Sequence, residues 1–238
     1  LRTSVIVPAY NRADLTESLA ETFTDGYQTV LVDNGSTDHT RDVYKRFDRV
    51  VTLPENVGFA RGCNEGAKAA SGDILIFLNN DTLPEAGWVH PLTSAFTDPS
   101  VGIAGALLLY PDRTVQHAGV HLAVVGGVLT AFNIGRGEPL ATKHLMSRQV
   151  DAVTGACLAI RRVTWDQVGG FDDGYWNGYE DVDLCLTART LGWTVWYEPT
   201  SVVVHLESAS GPERWAGVHA NVARLQERWC EQWQLLTS

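Results

Sequence analysis

The four cysteines, Cys63, Cys157, Cys185 and Cys230, are far apart, and no two form a Cys-x-x-Cys pair. That excludes a zinc ribbon and a dithiol redox motif. The thiols read instead as small buried residues of a reducing compartment. No apolar run is long enough to span a bilayer, and no signal-peptide pattern is visible. Cationic residues are scarce: 18 Lys and Arg face 28 Asp and Glu, a formal net charge of −10. So acidic a chain is a poor nucleic-acid partner, because phosphates must be neutralised by Lys and Arg. A phosphate ligand would need a metal or local basic residues to offset that charge. A glycine-rich phosphate cradle is also missing, since neither Gly-x-Gly-x-x-Gly nor a Walker loop follows the first strand. There are no internal repeats and no low-complexity segments.

What is present is a regular alternation of short apolar runs and helical patterns. The chain has 238 residues and is 45% hydrophobic, enough for one large α/β domain. Ser4-Val5-Ile6-Val7-Pro8 predicts a strand stopped by proline. Leu15, Leu19 and Phe23 have helical spacing over 13–23. Strands follow at Thr29–Asp33, Val50–Leu53 and Ile74–Leu78, with helices at 38–47, capped by Asp38, and at 58–70. This rhythm implies a parallel sheet with helices on both faces.

The second half is less regular. A long strand is expected over Val101–Leu109, then irregular loops and short strands over 110–150. A loop region that long inside a compact domain is usually functional. Further strands are expected at 156–161, 194–197 and 201–205, a helix at 179–191, and a closing helix at 215–234 bearing Trp215, Leu225, Trp229 and Trp233. The chain begins at Leu1 with a strand almost at once, as expected of a domain cut from a larger multidomain chain.

The most informative stretch is Ile74-Leu75-Ile76-Phe77-Leu78-Asn79-Asn80-Asp81. Its apolar run reads as a buried central strand that ends in two amides and a carboxylate. Ligands of open α/β sheets bind beyond the carboxyl ends of the strands. Asp81 there suits a divalent cation held against a phosphate; the same residues also read as a turn whose Asp caps a helix. Pro8-Ala9-Tyr10-Asn11 and Asp33-Asn34-Gly35-Ser36-Thr37-Asp38 close two other strands. Three such strand ends on one crevice favour a nucleotide site.

These residues resemble the inverting family 2 glycosyltransferases, over Val5 to about Ser210. The resemblance rests on Val5–Asn11, Val32–Asp38, Asn56-Val57-Gly58-Phe59-Ala60-Arg61-Gly62-Cys63-Asn64, Leu78–Asp81, Gly169-Gly170-Phe171-Asp172 and Gly178-Tyr179-Glu180-Asp181-Val182-Asp183-Leu184-Cys185, in that order. It is best with the rhamnosyltransferase-like branch that builds bacterial surface polysaccharides and cell-wall glycans. The implied fold is GT-A: a single α/β domain with a central, mostly parallel, Rossmann-like sheet flanked by helices. Residues 1–100 would bind the nucleotide sugar, and 101–238 would bind the acceptor and supply the catalytic groups. The implied activity is metal-dependent, inverting hexosyl transfer from a UDP- or dTDP-sugar to a hydroxyl of a glycan or lipid-linked precursor. The implied location is the cytoplasm, with peripheral contact at the inner face of the membrane compatible with it.

The resemblance also implies roles. Asp33 would accept a hydrogen bond from N3–H of uracil or thymine, and Pro8, Tyr10 and Asn11 would line the base and ribose. Asn56, Gly58 and Arg61 would border the diphosphate or sugar, as would Asn79 and Asn80. Asp81 takes the metal position of an Asp-x-Asp motif whose first member is here Asn79. His205, after Val202-Val203-Val204, would be a second metal ligand, an imidazole suiting Mn²⁺ more than Mg²⁺. Asp181 would be the general base, with Glu180 binding acceptor hydroxyls or orienting it. Trp176, Asn177, Tyr179 and Asp172 would meet the acceptor. Two other classes remain open: a sugar-nucleotide pyrophosphorylase, which needs the basic, Gly-rich loop missing here, and a non-catalytic binding domain for carbohydrate or nucleotide sugar, which would not need Asp81, Asp181 and His205.

Overall fold

The structure is a computed structural model that describes residues 1–207 and 217–237, with side chains through Trp233. Trp215 lies outside the described residues. The first half runs β1 (Thr3–Ala9), α1 (Ala13–Ala20), β2 (Gln28–Asp33), a 3₁₀ helix (His39–Arg46), β3 (Arg49–Thr52), α2 (Phe59–Ala69), β4 (Ile74–Leu78), β5 (Thr82–Pro84) and α3 (Val89–Ser94). The second runs β6 (Val101–Leu109), β7 (Val115–His117), β8 (Val120–Val125), β9 (Val128–Asn133), β10 (Arg148–Gln149), β11 (Cys157–Arg161), α4 (Arg162–Val168), α5 (Glu180–Thr190), β12 (Thr194–His205) and α6 (Val218–Thr237).

One sheet organises these elements, in the order β10-β12-β6-β11-β4-β1-β2-β3. β3, β2, β1 and β4 are parallel, and β6 and β12 share their direction; β11 lies antiparallel between β4 and β6. The sheet is thus mostly parallel, as expected. The alternating side chains of each strand feed two cores. Ile6, Leu75 and Phe77 pack on one face with Cys63, Trp165, Leu184 and Trp229. Val5, Val7, Ile74, Ile76 and Leu78 pack on the other with Trp88, Leu92 and Phe96. Both faces being covered explains why the central strands are apolar without alternation.

Three expectations need correction. Pro8 does not stop β1 but sits inside it, paired with Val32. The β4 ladder ends at Ile6↔Phe77. Beyond it β1 has a neighbour on one side only, where a residue without N–H is tolerated. The strands expected at 194–197 and 201–205 are one strand, β12. Its register against β6 shifts between Glu198 and Val202, so Pro199 sits in a bulge and does not end the strand. Within 110–150, β8 and β9 form a regular hairpin from Val120↔Asn133 to Val125↔Val128. Gly126 (φ 59°) and Gly127 (φ 82°) supply its tight turn, a Gly-Gly signal between valine-rich runs.

The contact of α2 with the sheet allows no spare volume. A Cβ at Gly66 would lie 2.4 Å from Ile6 Cγ2 and 2.7 Å from Val32 Cγ2. Gly66→Ala gains ~1 kcal/mol of helix propensity, but overpacking costs ~1–3 kcal/mol. The variant is expected to be less stable, with a lower urea midpoint at an unchanged slope.

Candidate active site

The carboxyl ends of β1 and β2 and the start of α2 form a tightly bonded crevice wall. Asn11, in the left-handed region at φ 56°, accepts from Thr37 N–H at 2.8 Å, and its own N–H donates to Ser36 Oγ at 2.8 Å. Asp33 is buried; Oδ1 accepts from Ser36 N–H at 2.8 Å, and Oδ2 accepts from the Tyr44 hydroxyl. Burial and then this bond raise the Tyr44 pKa. Asn34 Nδ2 donates to Asn56 Oδ1 and to the Gly58 carbonyl, each at 3.1 Å. Tyr10 and Arg61 are exposed here, and Arg61 sits in the first turn of α2. Asn80 is turned away, donating to Thr16 Oγ1 on α1 at 3.1 Å.

Beside this wall lies an open cleft of about 350 Å³. It gathers Asn79, Asp81, Asn177, Glu180, Asp181 and His205 from the residues expected by sequence. Pro8, Tyr10, Asn11, Asp33, Asn56, Gly58, Arg61 and Asn80 do not line it. The two regions join at α2, where Phe59 N–H donates to Asn177 Oδ1 at 3.0 Å and the Trp176 ring lies against Gly58.

At one end of the cleft, β12 pairs antiparallel with β5, Thr82 opposite His205. This sets His205 Nε2 3.1 Å from Asp81 Oδ1, with Asn79 Nδ2 at 3.5 Å. Asp81 therefore precedes a strand and caps no helix. Gln116 fixes the imidazole. Its Nε2 faces two acceptors, the His205 carbonyl at 3.3 Å and a Glu207 oxygen at 3.4 Å, so Oε1 must face His205 Nδ1, at 2.6 Å. Nδ1 thus carries a hydrogen, and Nε2 is the ring nitrogen turned toward Asp81. Adjacent ligands on an octahedral ion with ~2.1 Å bonds stand about 3 Å apart, so this pair fits a divalent cation. No cluster of three or more His, Cys, Asp or Glu suited to a metal occurs among the described residues. Two protein ligands leave positions for phosphate oxygens and water.

At the other end, α5 begins with Glu180 and Asp181. The turn before it has positive φ at Asn177 (49°), Gly178 (141°) and Tyr179 (70°). For a residue as bulky as Tyr179 this is a strained conformation. Asp181 keeps partial solvent contact; Oδ2 accepts from Gly155 N–H and Oδ1 from Val182 N–H, each at 2.8 Å. Glu180 is buried, with Oε2 accepting from Gly178 N–H at 2.5 Å. Burial, then the Asp181 charge, pushes the Glu180 pKa up to about 8; burial raises that of Asp181. Asp183 is no part of the cleft. It accepts from Trp229 Nε1 at 2.6 Å and Arg228 at 3.0 Å, docking α6 on α5.

A second cavity of about 280 Å³ adjoins the first and shares Asn133, Thr154, Asn177, Gly178 and Asp181 with it. Tyr179 lines only this second cavity. Asp172 lines neither: Arg224 holds it at 2.7 Å and Arg228 at 3.2 Å, against α6. Trp176 lines neither, although its side chain is partly exposed. The sequence reading missed Gln116, His117, Asn133, Arg136, Thr154 and Glu207, which also line the first cleft.

Two outcomes follow from these contacts. Removing the Gln116 amide frees the imidazole to rotate and change tautomer. Losing such a partner typically costs ~10–100-fold in metal affinity; were Mn²⁺ held by Asp81 and His205, Gln116→Leu would lose that much of its affinity by titration calorimetry. Glu180 holds its proton more tightly in the fold than in the unfolded chain. Its stabilising contribution is complete below its ordinary value of 4.5 and is lost as the pH rises to about 8. Glu180→Gln is therefore expected to melt like the parent near pH 4 and higher near pH 8. Each ~1 kcal/mol of relief should raise Tm by ~2–4 °C.

The sequence profile described as Glycosyl transferase family 2 matches residues 4–166. The O-antigen biosynthesis protein RfbC of Myxococcus xanthus is 34% identical over 223 residues, 88% of this chain and 18% of that protein. The N-acetylglucosaminyl-diphospho-decaprenol L-rhamnosyltransferase of Mycobacterium tuberculosis (strain ATCC 25618 / H37Rv) is 32% identical over 212 residues, 76% of this chain and 67% of that enzyme. The chain thus spans under a fifth of the first relative. Among solved structures, GalNAc-T7 with UDP, GalNAc and Mn²⁺ superposes with a TM-score of 0.73 at 19% identity, over 96% of this chain and 48% of that one. The mannosyltransferase PcManGT from Pyrobaculum calidifontis, with GDP-Man and Mn²⁺, gives 0.67 at 20% identity, over 94% and 63%. The fold is that of GT-A glycosyltransferases, and the chain belongs to glycosyl transferase family 2.

Proposed function

We propose that this chain is a metal-dependent, inverting glycosyltransferase that moves a sugar from a UDP- or dTDP-sugar to a hydroxyl of a glycan or surface-polysaccharide precursor. The observation that carries the reading is the position of Asp181, which lines both cavities. The first also holds Asp81 and His205, and the second holds neither. A base for single displacement belongs at such a junction, between the sugar being transferred and the attacking hydroxyl. The first cavity then takes the donor sugar and the second the acceptor.

Asp81 and His205 would hold Mn²⁺ or Mg²⁺, as the bound Mn²⁺ of GalNAc-T7 and PcManGT supports. Such an ion supplies positive charge beside the departing diphosphate. The crevice wall of Pro8, Tyr10, Asn11 and Asp33 would take the base and ribose. Asn56, Gly58 and Arg61 at the start of α2 would face the diphosphate, where helix N–H groups favour anions. As the acceptor oxygen attacks the anomeric carbon, its proton passes to an Asp181 oxygen and the bond from that carbon to the diphosphate breaks. Gly155 and Val182 N–H keep the carboxylate aimed, and the raised pKa of Asp181 improves it as a proton acceptor. Tyr179 and Asn177 would border the acceptor. Trp176 is proposed as its outer wall, and Asp172 as holding α6 against that side. The acceptor would be lipid-linked, met at the inner face of the membrane by a cytoplasmic chain. No helix among the described residues is long and apolar enough to cross a membrane.

The expected test is Asp181→Asn, which keeps the shape but cannot take the proton. Donor affinity by calorimetry should be retained, and transfer should fall by ~10²–10⁴-fold. The product should show inverted anomeric configuration by proton NMR. A retained configuration, or transfer within a few-fold of the parent, would remove the base assignment.

A further inference from the structure

His117 has no task in the transfer chemistry. It closes β7, lines the cleft that holds Asp81 and His205, and is only 1% exposed. Its Nδ1 stands 2.7 Å from Asn133 Oδ1 and so carries the hydrogen. Nε2 is then a lone pair, shielded from bulk water, with no hydrogen-bond partner among the described residues. Leaving such an acceptor unpaired is costly, and buried polar atoms in native proteins nearly always find a donor. The ring stays neutral, because burial pushes its pKa down to about 4. A neutral lone pair repels phosphate oxygens and attracts O–H. His117 lines the first cavity and not the second, which places it beside the donor sugar and away from the acceptor.

We infer that His117 Nε2 accepts a hydrogen bond from one hydroxyl of the transferred sugar, with Asn133 fixing the tautomer that makes this possible. The inference rests on the donor assignment proposed above. Side-chain rotamer changes are common on ligand binding, and one that bares Nε2 to the cleft is required here. His117 is then a specificity residue: it favours a sugar with a hydroxyl at one ring position over the analogue lacking it.

Calorimetry with Mn²⁺ tests this. UDP, dTDP and GDP are compared with UDP-glucose, dTDP-glucose, dTDP-L-rhamnose and GDP-mannose, and with single-deoxy forms of the best binder. In the parent protein, one deoxy form should bind on the order of 10–100-fold more weakly than its sugar. In His117→Leu that difference should vanish. His117→Gln, whose amide oxygen can stand near the Nε2 position, should restore part of it. The plain nucleoside diphosphate should bind all three proteins alike, which shows the fold intact. If His117→Leu discriminates the deoxy forms as the parent does, or if no deoxy form differs in the parent, the inference is overturned. Loss of nucleoside diphosphate binding in both variants would mark His117 as a packing residue and overturn it too. If no nucleotide binds the parent, the donor reading itself fails and takes this inference with it; if nucleotides bind and no hydroxyl couples to His117, only this inference falls.

Discussion

The pairing of β5 with β12 is the constraint on which the site depends. Thr82 lies opposite His205, Leu83 opposite Val204 and Pro84 opposite Val203, and Leu206 N–H closes the ladder on the Asp81 carbonyl at 3.0 Å. These backbone bonds bring together side chains 124 residues apart in sequence. The entropy of assembling the pair is met by folding, so a ligand need not supply it. β6 and β12 run parallel to β4, and β11 runs against them. The carboxyl ends that deliver Asp33, Asn79 and His205 therefore share one edge of the sheet with the start of β11. Gly155, just before β11, there gives its N–H to Asp181.

The end of the cleft at α5 departs from the strain-free rule that the core obeys. The left-handed backbone at Tyr179 and the two adjacent recessed carboxyl groups cost stability. α6 offsets part of this. Its Trp229 and Arg228 both bond Asp183, one turn beyond Glu180, as does Tyr175 from the loop before α5. Gln226 bonds both the N–H and the carbonyl of Leu129 on the hairpin, each at 2.7 Å. One helix thus braces the strained turn from below and the second cavity from its side.

Much of this was legible in the chain. The apolar runs of β1, β2 and β4 leave the signature of burial on both faces, and Asn11, Asp33 and Asn79 at or just past their carboxyl ends marked the edge of the sheet on which the cleft opens. Val202-Val203-Val204-His205 and Glu180-Asp181 marked the two ends of the cleft. Gln116, His117 and Asn133 were hidden, because their roles come from pairing β7 with β6 and β9 with β8, and no local periodicity reports those pairings. Asp172 looked like an acceptor residue beside the Gly169-Gly170-Phe171 turn. Its partners Arg224 and Arg228 lie 52 and 56 residues away and are beyond any local reading. The stretch between 197 and 201 looked like a gap between two strands because a bulge and a break have the same local composition.

The place of β11 has a consequence for synthesis. β4 emerges from the ribosome with Ile74–Leu78 fully apolar, and its other long neighbour is encoded from Cys157 onward. At ~5–20 residues per second, the roughly eighty intervening residues take on the order of 4–16 s to appear. Through that interval the nascent chain presents an unpaired, hydrophobic strand edge to its surroundings, a template for pairing with other chains. Expression of this protein should therefore gain more from holdase chaperones, or from slower initiation that spaces out nascent chains, than from any mutation that strengthens the finished core.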